Sequence, residues 1–216
     1  LRGSVVPLGT KATVRALYQP PQEGSVDGFR LLPEQTNDEA HLQQVMSRLG
    51  LAVVGMIYTD LQPLPGSERV ECLRHGETFF VSSAEILFLA RQQQLRPSRC
   101  PQAKTGWFSS KFVTCVLTGD ADGSIAVHAY QASEQAVAML RADLLEASVE
   151  PSLMLVKPST PSHYVPEVFY KERNEYGVEV QKRADPAFPV DYLLVNLSHG
   201  FLPAGSTFVL AGGGVK

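Results

Sequence analysis

The sequence predicts an α/β (α+β) domain, a mixed β-sheet flanked by helices with a projecting β-hairpin insertion. Three observations predict it. Strand-like and helix-like patterns alternate along the chain. Leu51 to Asp60 (LAVVGMIYTD) is too apolar for a surface strand and is expected at the centre of the sheet. Lys111 to Thr118 and Ser124 to Tyr130 flank Gly119-Asp120-Ala121-Asp122-Gly123, the pattern of a β-hairpin with a five-residue, Gly-bounded connection. The 216 residues suffice for a substantial core. One domain is expected over 1–216, its core at about 7–150 and 185–200 and its insertion at about 151–184.

The elements follow in order. Thr13 to Gln19 (TVRALYQ) is a β-prone run stopped by Pro20-Pro21. Thr36-Asn37-Asp38-Glu39 reads as a capping box with Thr36 as N-cap. Leu42, Val45, Met46 and Leu49 then repeat at helical spacing, an amphipathic stripe closed by Gly50. After the strand at Leu51–Asp60, Leu61 to Glu77 is loop-like, with Pro63, Pro65 and Gly66. Thr78 to Val81 is a short strand. Ser82-Ser83-Ala84-Glu85 opens a second helix that runs through Arg91, apolar on several sides. Pro97 to Ser110 is a loop, and the hairpin follows it. Ser133 to Leu145 is a third helix, with Val137, Leu140 and Leu144 on one face. Pro151 to Pro166 is proline-rich. Tyr164 to Lys182 holds two strand-like halves around Asn174-Glu175-Tyr176-Gly177, read as the projecting hairpin. Asp191 to Ser198 is a final core strand, and the Gly212-Gly213-Gly214 tail is expected to be flexible.

Composition narrows the function classes. Hydrophobic residues make up 44% and charged residues 19%, as in ordinary globular proteins. A net charge of -3 without a sustained basic block weighs against nucleic-acid backbones and anionic membranes as partners. No apolar run approaches the roughly 20 residues that span a bilayer, so no membrane insertion is expected. Leu1-Arg2-Gly3-Ser4 lacks a signal-peptide pattern and reads as a start inside a larger protein. Cys72, Cys100 and Cys115 are odd in number and widely spaced, which favours reduced thiols over a disulfide framework. Cys72 and His75 have ligand-like spacing, and Cys100 is a conceivable third donor. No second pair completes a tetrahedral zinc set, so an ordinary loop is the plainer reading. No metal and no other cofactor is expected.

One constellation carries chemistry. Val54-Gly55-Met56-Ile57-Tyr58-Thr59-Asp60, followed by Ser82-x-x-Glu85 at a helix start, resembles the metal-site region of the MPN/JAMM fold. Active members of that class carry V-G-x-x-H-x-H on a strand and S-x-x-D further on. Residues two apart on a strand share a face, so the two histidines chelate one zinc, a helix carboxylate adds a third ligand, and a glutamate acts on the bound water. Here Tyr58 and Asp60 stand at the histidine positions and Glu85 at the carboxylate position. A phenol must lose a proton of pKa near 10 to bind zinc, and two carboxylates alone form an all-oxygen set unlike catalytic zinc sites. The general-base glutamate would fall before Leu1. Hydrolysis is therefore not expected, and Ser82-x-x-Glu85 is in any case a complete capping box.

Wider blocks extend the resemblance. Tyr18-Gln19-Pro20-Pro21-Gln22, Leu49-Gly50-Leu51-x-x-Val54-Gly55, Tyr58-Thr59-Asp60-Leu61, Ser110-Lys111-Phe112-Val113-Thr114, Tyr130-Gln131-x-Ser133, Tyr164-Val165-Pro166-Glu167-Val168-Phe169-Tyr170-Lys171 and Pro189-Val190-Asp191-Tyr192-Leu193 occur in one order. From about Pro7 to Leu197 the chain is similar to the nuclear protein localisation homologue 4 family, the ubiquitin-binding cofactor of the Cdc-type AAA+ unfoldase. The resemblance implies an inactive MPN domain that pairs with a ubiquitin fusion degradation protein 1-type subunit and helps receive lysine-48-linked ubiquitin chains. One ubiquitin would unfold and lay an extended segment in a groove of the domain. A cytoplasmic and nuclear location follows, with a peripheral station at the endoplasmic reticulum. The family's ubiquitin-like domain and zinc fingers have no counterpart here, and its helical C-terminal region is absent or truncated. Docking on the unfoldase is therefore expected through other parts of the protein.

Five aromatic residues are candidate binding anchors. Phe169, Tyr170 and Tyr176 belong to the projecting hairpin, whose edges suit strand addition. Trp107 and Phe108 lie in a Gly/Ser-bounded loop. The alternative for all five is that they fold back over the sheet. Lys171, Arg173, Lys182 and Arg183 either steer an acidic partner or form a solvated hairpin face. Three functions are thus weighed: a ubiquitin-pathway adaptor, a metal-dependent isopeptidase with an altered ligand set, and a purely architectural domain.

Overall fold

The computed structural model describes residues 5–6, 9–10, 12–25, 28–32 and 36–200. The chain divides into two compact units, Leu1–Val54 with Gly200–Lys216, and Gly55–His199.

In the first unit, Val5–Val6 pairs with Gly9–Thr10, and Gln22–Ser25 with Gly28–Leu31, both antiparallel. Helix α1 spans Thr36–Leu49, at the predicted stripe. It ends in a Schellman arrangement. Gly50 takes φ 62°, its N–H donates to the Ser47 carbonyl, and Leu51 N–H reaches back to the Met46 carbonyl. The stripe does not face a core along its length, because Val45 and Leu49 are exposed. Thr13–Gln19 is not a strand. Strand propensity is realised only through a ladder partner, and this run enters no ladder among the described residues. The side chains of the capping box proposed at Thr36–Glu39, and the Gly212–Gly214 tail, lie outside what the structure describes.

The second unit carries the main sheet. Strand β1 (Gly55–Asp60) leads through a long crossover containing α2 (Ser83–Leu95) to β2 (Val113–Gly119). β3 (Ile125–Ala132), α3 (Glu134–Arg141), β4 (Leu145–Ala147) and β5 (Leu153–Val156) follow. Then come β6 (Phe169–Arg173), β7 (Glu179–Arg183), β8 (Ala187–Pro189), a 3-10 turn at Val190–Leu193, and β9 (Leu194–Asn196). The sheet order is β9-β3-β2-β1. β1 runs parallel to β2, as the helical crossover allows, and the other two pairs are antiparallel. The expected mixed sheet, its helices and both hairpins are present.

Several boundaries differ from the sequence reading. Among the described residues β1 is bonded only to β2 and stands at an edge rather than at the centre. The apolar residues before it, 51–54, belong to the first unit. Thr78–Val81 is not a strand; it is a turn region whose Val81 is fully buried as the lead-in to α2. α2 runs one turn past Arg91. α3 stops at Arg141 because Asp143 takes φ 56°, and Leu145 then enters β4. β4, β5 and β8 build a second antiparallel sheet that the proline-rich texture concealed. The expected strand at Asp191–Ser198 is reduced to β9, since a 3-10 turn takes its first half. Within the predicted loop 61–77, Gln62–Pro63 pairs with Val70–Glu71.

The core gathers Val81, Ile86, Leu89, Val116, Tyr130, Met154, Phe188 and Leu193 between α2, α3 and the two sheets. Each such side chain contributes about 1.5–3 kcal/mol when buried. Gln93 is buried with it. Its amide donates to the Ala132 carbonyl at 2.9 Å and accepts from Ala132 N–H at 2.6 Å, which satisfies the end of β3.

Candidate functional site

Tyr58 and Asp60 lie two apart on β1 and therefore share a face. Their register partners on β2 are Val116 and Thr118, both buried. The start of α2 adds Glu85 to that face. Ser82 Oγ accepts from Glu85 N–H at 3.3 Å, and Ser82 N–H donates to Glu85 Oε2 at 2.8 Å. This complete capping box fixes the Glu85 carboxylate.

The three positions meet, but they meet around a fourth residue. Arg74 Nε donates to Asp60 Oδ2 at 2.5 Å. Its two terminal nitrogens donate to Glu85 Oε2 at 2.8 Å and Oε1 at 2.9 Å, a bidentate fork. Nη1 also donates to the Phe80 carbonyl at 3.0 Å, and the guanidinium lies 5.4 Å from the centre of the Phe79 ring. The Arg74 side chain is 7% exposed, against 22% for Asp60 and 24% for Glu85.

Burial alone would push the Glu85 carboxyl upward. The hydrogen bonds and charge of Arg74 outweigh it, so the group is held below its ordinary value and stays ionised. Burial opposes the charge on Arg74 as well, yet its pairing with Glu85 drives it further toward the protonated form. Tyr58 is pushed far up, first by burial and then by the Glu85 charge, with Arg74 a partial offset. It keeps its proton beside the Glu85 carboxylate.

These residues do not fit a metal ion. A guanidinium fills the space between the two carboxylates, and the third donor is a neutral phenol. Among the described residues no group of three or more His, Cys, Asp or Glu is arranged to hold one. Cys72, Cys100 and Cys115 are free thiols. His75 Nδ1 accepts from Glu77 N–H at 3.3 Å, a local turn contact.

Arg74 is the residue that sequence reasoning missed. It sits in an irregular loop, 14 and 11 residues from its partners, with no periodic pattern to mark it. The available signal was electrostatic: two carboxylates converging on a buried sheet face require a cation.

The aromatic candidates separate into two groups. Trp107, Phe108, Phe169 and Tyr176 are exposed, Phe108 at 63% and Tyr176 at 86%. Tyr170 is half-buried, its ring 5.3 Å from that of Tyr192 and 6.4 Å from that of Phe188. That places Tyr170 in the packing at the hairpin base. Three of the four hairpin cations are already paired: Lys171 with Glu179, Lys182 with Glu172, and Arg183 with Glu167. The solvated-face alternative describes them better than steering does.

Comparison with known proteins adds the remaining evidence. A family model described as the NPL4 family matches residues 3–211. The chain is 44% identical over 197 residues to Nuclear protein localization protein 4 of Saccharomyces cerevisiae, covering 90% of this chain and 34% of that protein. It is 46% identical over 202 residues to the protein of that name from Yarrowia lipolytica, covering 91% and 36%. Against the Scheffersomyces stipitis protein it is 45% identical over 198 residues, covering 91% and 34%. The chain thus spans about a third of the length of these curated relatives.

Proposed function

Because the chain belongs to the NPL4 family, we propose that it is a non-enzymatic adaptor domain that binds ubiquitin chains and a partner cofactor. In this reading residues 1–216 form one MPN-type pseudoenzyme domain. It pairs with a ubiquitin fusion degradation protein 1-type subunit and receives lysine-48-linked chains. Ubiquitinated substrates then pass to an AAA+ unfoldase for proteasomal degradation, including degradation from the endoplasmic reticulum. Unfoldase docking is assigned to the part of the relatives that this chain does not span. The location is cytoplasmic and nuclear, in keeping with the relatives' name, and no described helix is long and apolar enough to cross a membrane.

The observation that carries the non-enzymatic part is the Arg74 fork on Asp60 and Glu85. A catalytic zinc needs an open coordination position and a water between its ligands, and here a buried guanidinium holds that space. The exposed Phe169 and Tyr176 support the binding part.

The test measures bound zinc, di-ubiquitin cleavage and chain binding on one preparation. The expected result is no stoichiometric zinc, no cleavage, and saturable binding of lysine-48-linked chains weakened by Phe169→Ala and Tyr176→Ala. Stoichiometric zinc with chelator-sensitive cleavage would establish the isopeptidase instead. Binding of the partner subunit without ubiquitin chains would establish the purely architectural domain.

A further inference from the structure

We propose that Arg91 to Lys111, the end of α2 and the loop after it, form a docking surface for a short acidic peptide segment that carries an apolar side chain. The proposal builds on the binding-module reading of Trp107 and Phe108, but it does not need ubiquitin as the occupant.

The charge pattern points to the ligand. No Asp or Glu occurs from Ile86 to Gly119, although the chain holds 22 acidic residues. Within that stretch stand Arg91, Arg96, Arg99, Lys104 and Lys111, all exposed. None of the five has a carboxylate partner among the described residues; the ion pairs of this unit are made by other cations. Two of them instead lie over aromatic rings, Arg99 at 5.4 Å from the centre of Trp107 and Arg96 at 4.7 Å from that of Phe112. Arg99 over its ring keeps its outer N–H groups for a carboxylate, whereas Arg96 Nη1 already donates to Gln92 Oε1 at 2.5 Å.

The loop is also pre-organised. Arg99 and Trp107 form a β-bridge. Ser98 N–H donates to the Ser109 carbonyl at 2.9 Å, Phe108 N–H to the Ser98 carbonyl at 3.0 Å, and Cys100 N–H to the Gly106 carbonyl at 2.9 Å. Ser110 Oγ fastens the base by donating to the Arg96 carbonyl at 2.6 Å. Ser109, which is not glycine, is held at φ 56°, and its hydroxyl bonds the Glu134 carboxylate below. Backbone held in a sparsely populated region is a mark of functional loops. A rigid loop that presents Trp, Phe and Arg to solvent has the composition of an interface hot spot and loses little entropy on binding.

Charge complementarity selects an acidic partner, and the rest of the chain limits its size. The whole chain carries -3, so everything outside these five cations carries -8. A long polyanion such as nucleic acid would meet that repulsion beyond the patch, whereas a short acidic segment stays on it. Trp107 and Phe108 would then take its apolar side chain.

The experiment titrates the whole chain against a fluorescein-labelled, Glu-rich peptide carrying a Leu-Leu pair. The same peptide with Ser-Ser in place of Leu-Leu, a single-stranded oligonucleotide of equal charge, and lysine-48-linked ubiquitin chains are run in parallel. The expected result is saturable binding of the Leu-Leu peptide that weakens with salt. Lys104→Glu and Phe108→Ala should each reduce it by roughly fivefold or more, the loss of a hot-spot contact, with an unchanged melting temperature. Equal binding of the Ser-Ser peptide, tighter binding of the oligonucleotide, or affinity unmoved by both substitutions would overturn the proposal. Loss of peptide binding in Lys104→Glu, with ubiquitin-chain binding retained, supports this surface separately from the adaptor reading. A protein that binds the peptide but no ubiquitin chain sinks the adaptor reading alone.

Discussion

Truncating Arg74 leaves Asp60 and Glu85 facing each other on a sheet face that is largely closed to water. Removing one partner of a buried ion pair costs about 3–5 kcal/mol, so Arg74→Ala should lower the urea-unfolding free energy by that order. Adding Asp60→Asn and Glu85→Gln to Arg74→Ala should restore part of the loss, because no uncompensated charge then remains. A thermodynamic cycle with Arg74→Ala as one leg and the two carboxylate substitutions together as the other reads this directly. The pH dependence has a defined sign. Glu85 is held below its ordinary value near 4.5, so its pairing contributes stability above that pH and loses it as pH falls through the lowered value. The stability gap between the parent chain and Arg74→Ala should therefore be full at neutral pH and shrink in acid below about 4.5. A gap independent of pH would contradict the ionised Arg74–Glu85 pair.

Elements fix where these side chains stand. Gly55 begins β1, where an added Cβ would lie 2.1 Å from the Val113 carbonyl oxygen. The obstacle is backbone and cannot swing aside, so Gly55→Ala should destabilise by about 1–3 kcal/mol through overpacking, read from thermal melts. The glycine of the strand motif thus has a packing reason that is independent of catalysis. Ser82→Ala removes the α2 cap and should cost about 1 kcal/mol. It should also loosen the Glu85 fork, which a weaker acid dependence of stability would report. Both substitutions act on neighbours close along the chain or across one ladder, and their motifs were legible in the sequence for that reason. The capping box, the β2–β3 hairpin and the Asn174–Gly177 turn were likewise visible, since each is decided within a few residues.

At the scale of the molecule, the β6–β7 ribbon meets the second sheet through Tyr170 against Phe188 and the 3-10 turn through Tyr170 against Tyr192, while its distal half, including Tyr176 and Val178, is open to solvent. Replacing Glu172–Val180 with a two-residue Asn-Gly turn should leave the melting temperature within about 2–4 °C of the parent, equivalent to about 1 kcal/mol. A collapse of stability would show that the ribbon is part of the core. The same view explains why the sequence reading put Leu51–Asp60 at the sheet centre. Apolar content reports burial, and burial does not say which neighbour provides it.

The sequence by itself determined the local units: which residues start and stop helices, where chains reverse, and that Tyr58 and Asp60 share a face of β1. These follow from backbone dihedral preferences, capping and the two-residue strand period, which act over a few residues. Only the tertiary structure decided that Arg74 stands between Asp60 and Glu85, that β1 lies at an edge of the sheet among the described residues, and that β4, β5 and β8 make a second sheet. Those outcomes depend on contacts between residues far apart in the chain, whose energies exist only after the fold has brought the partners together.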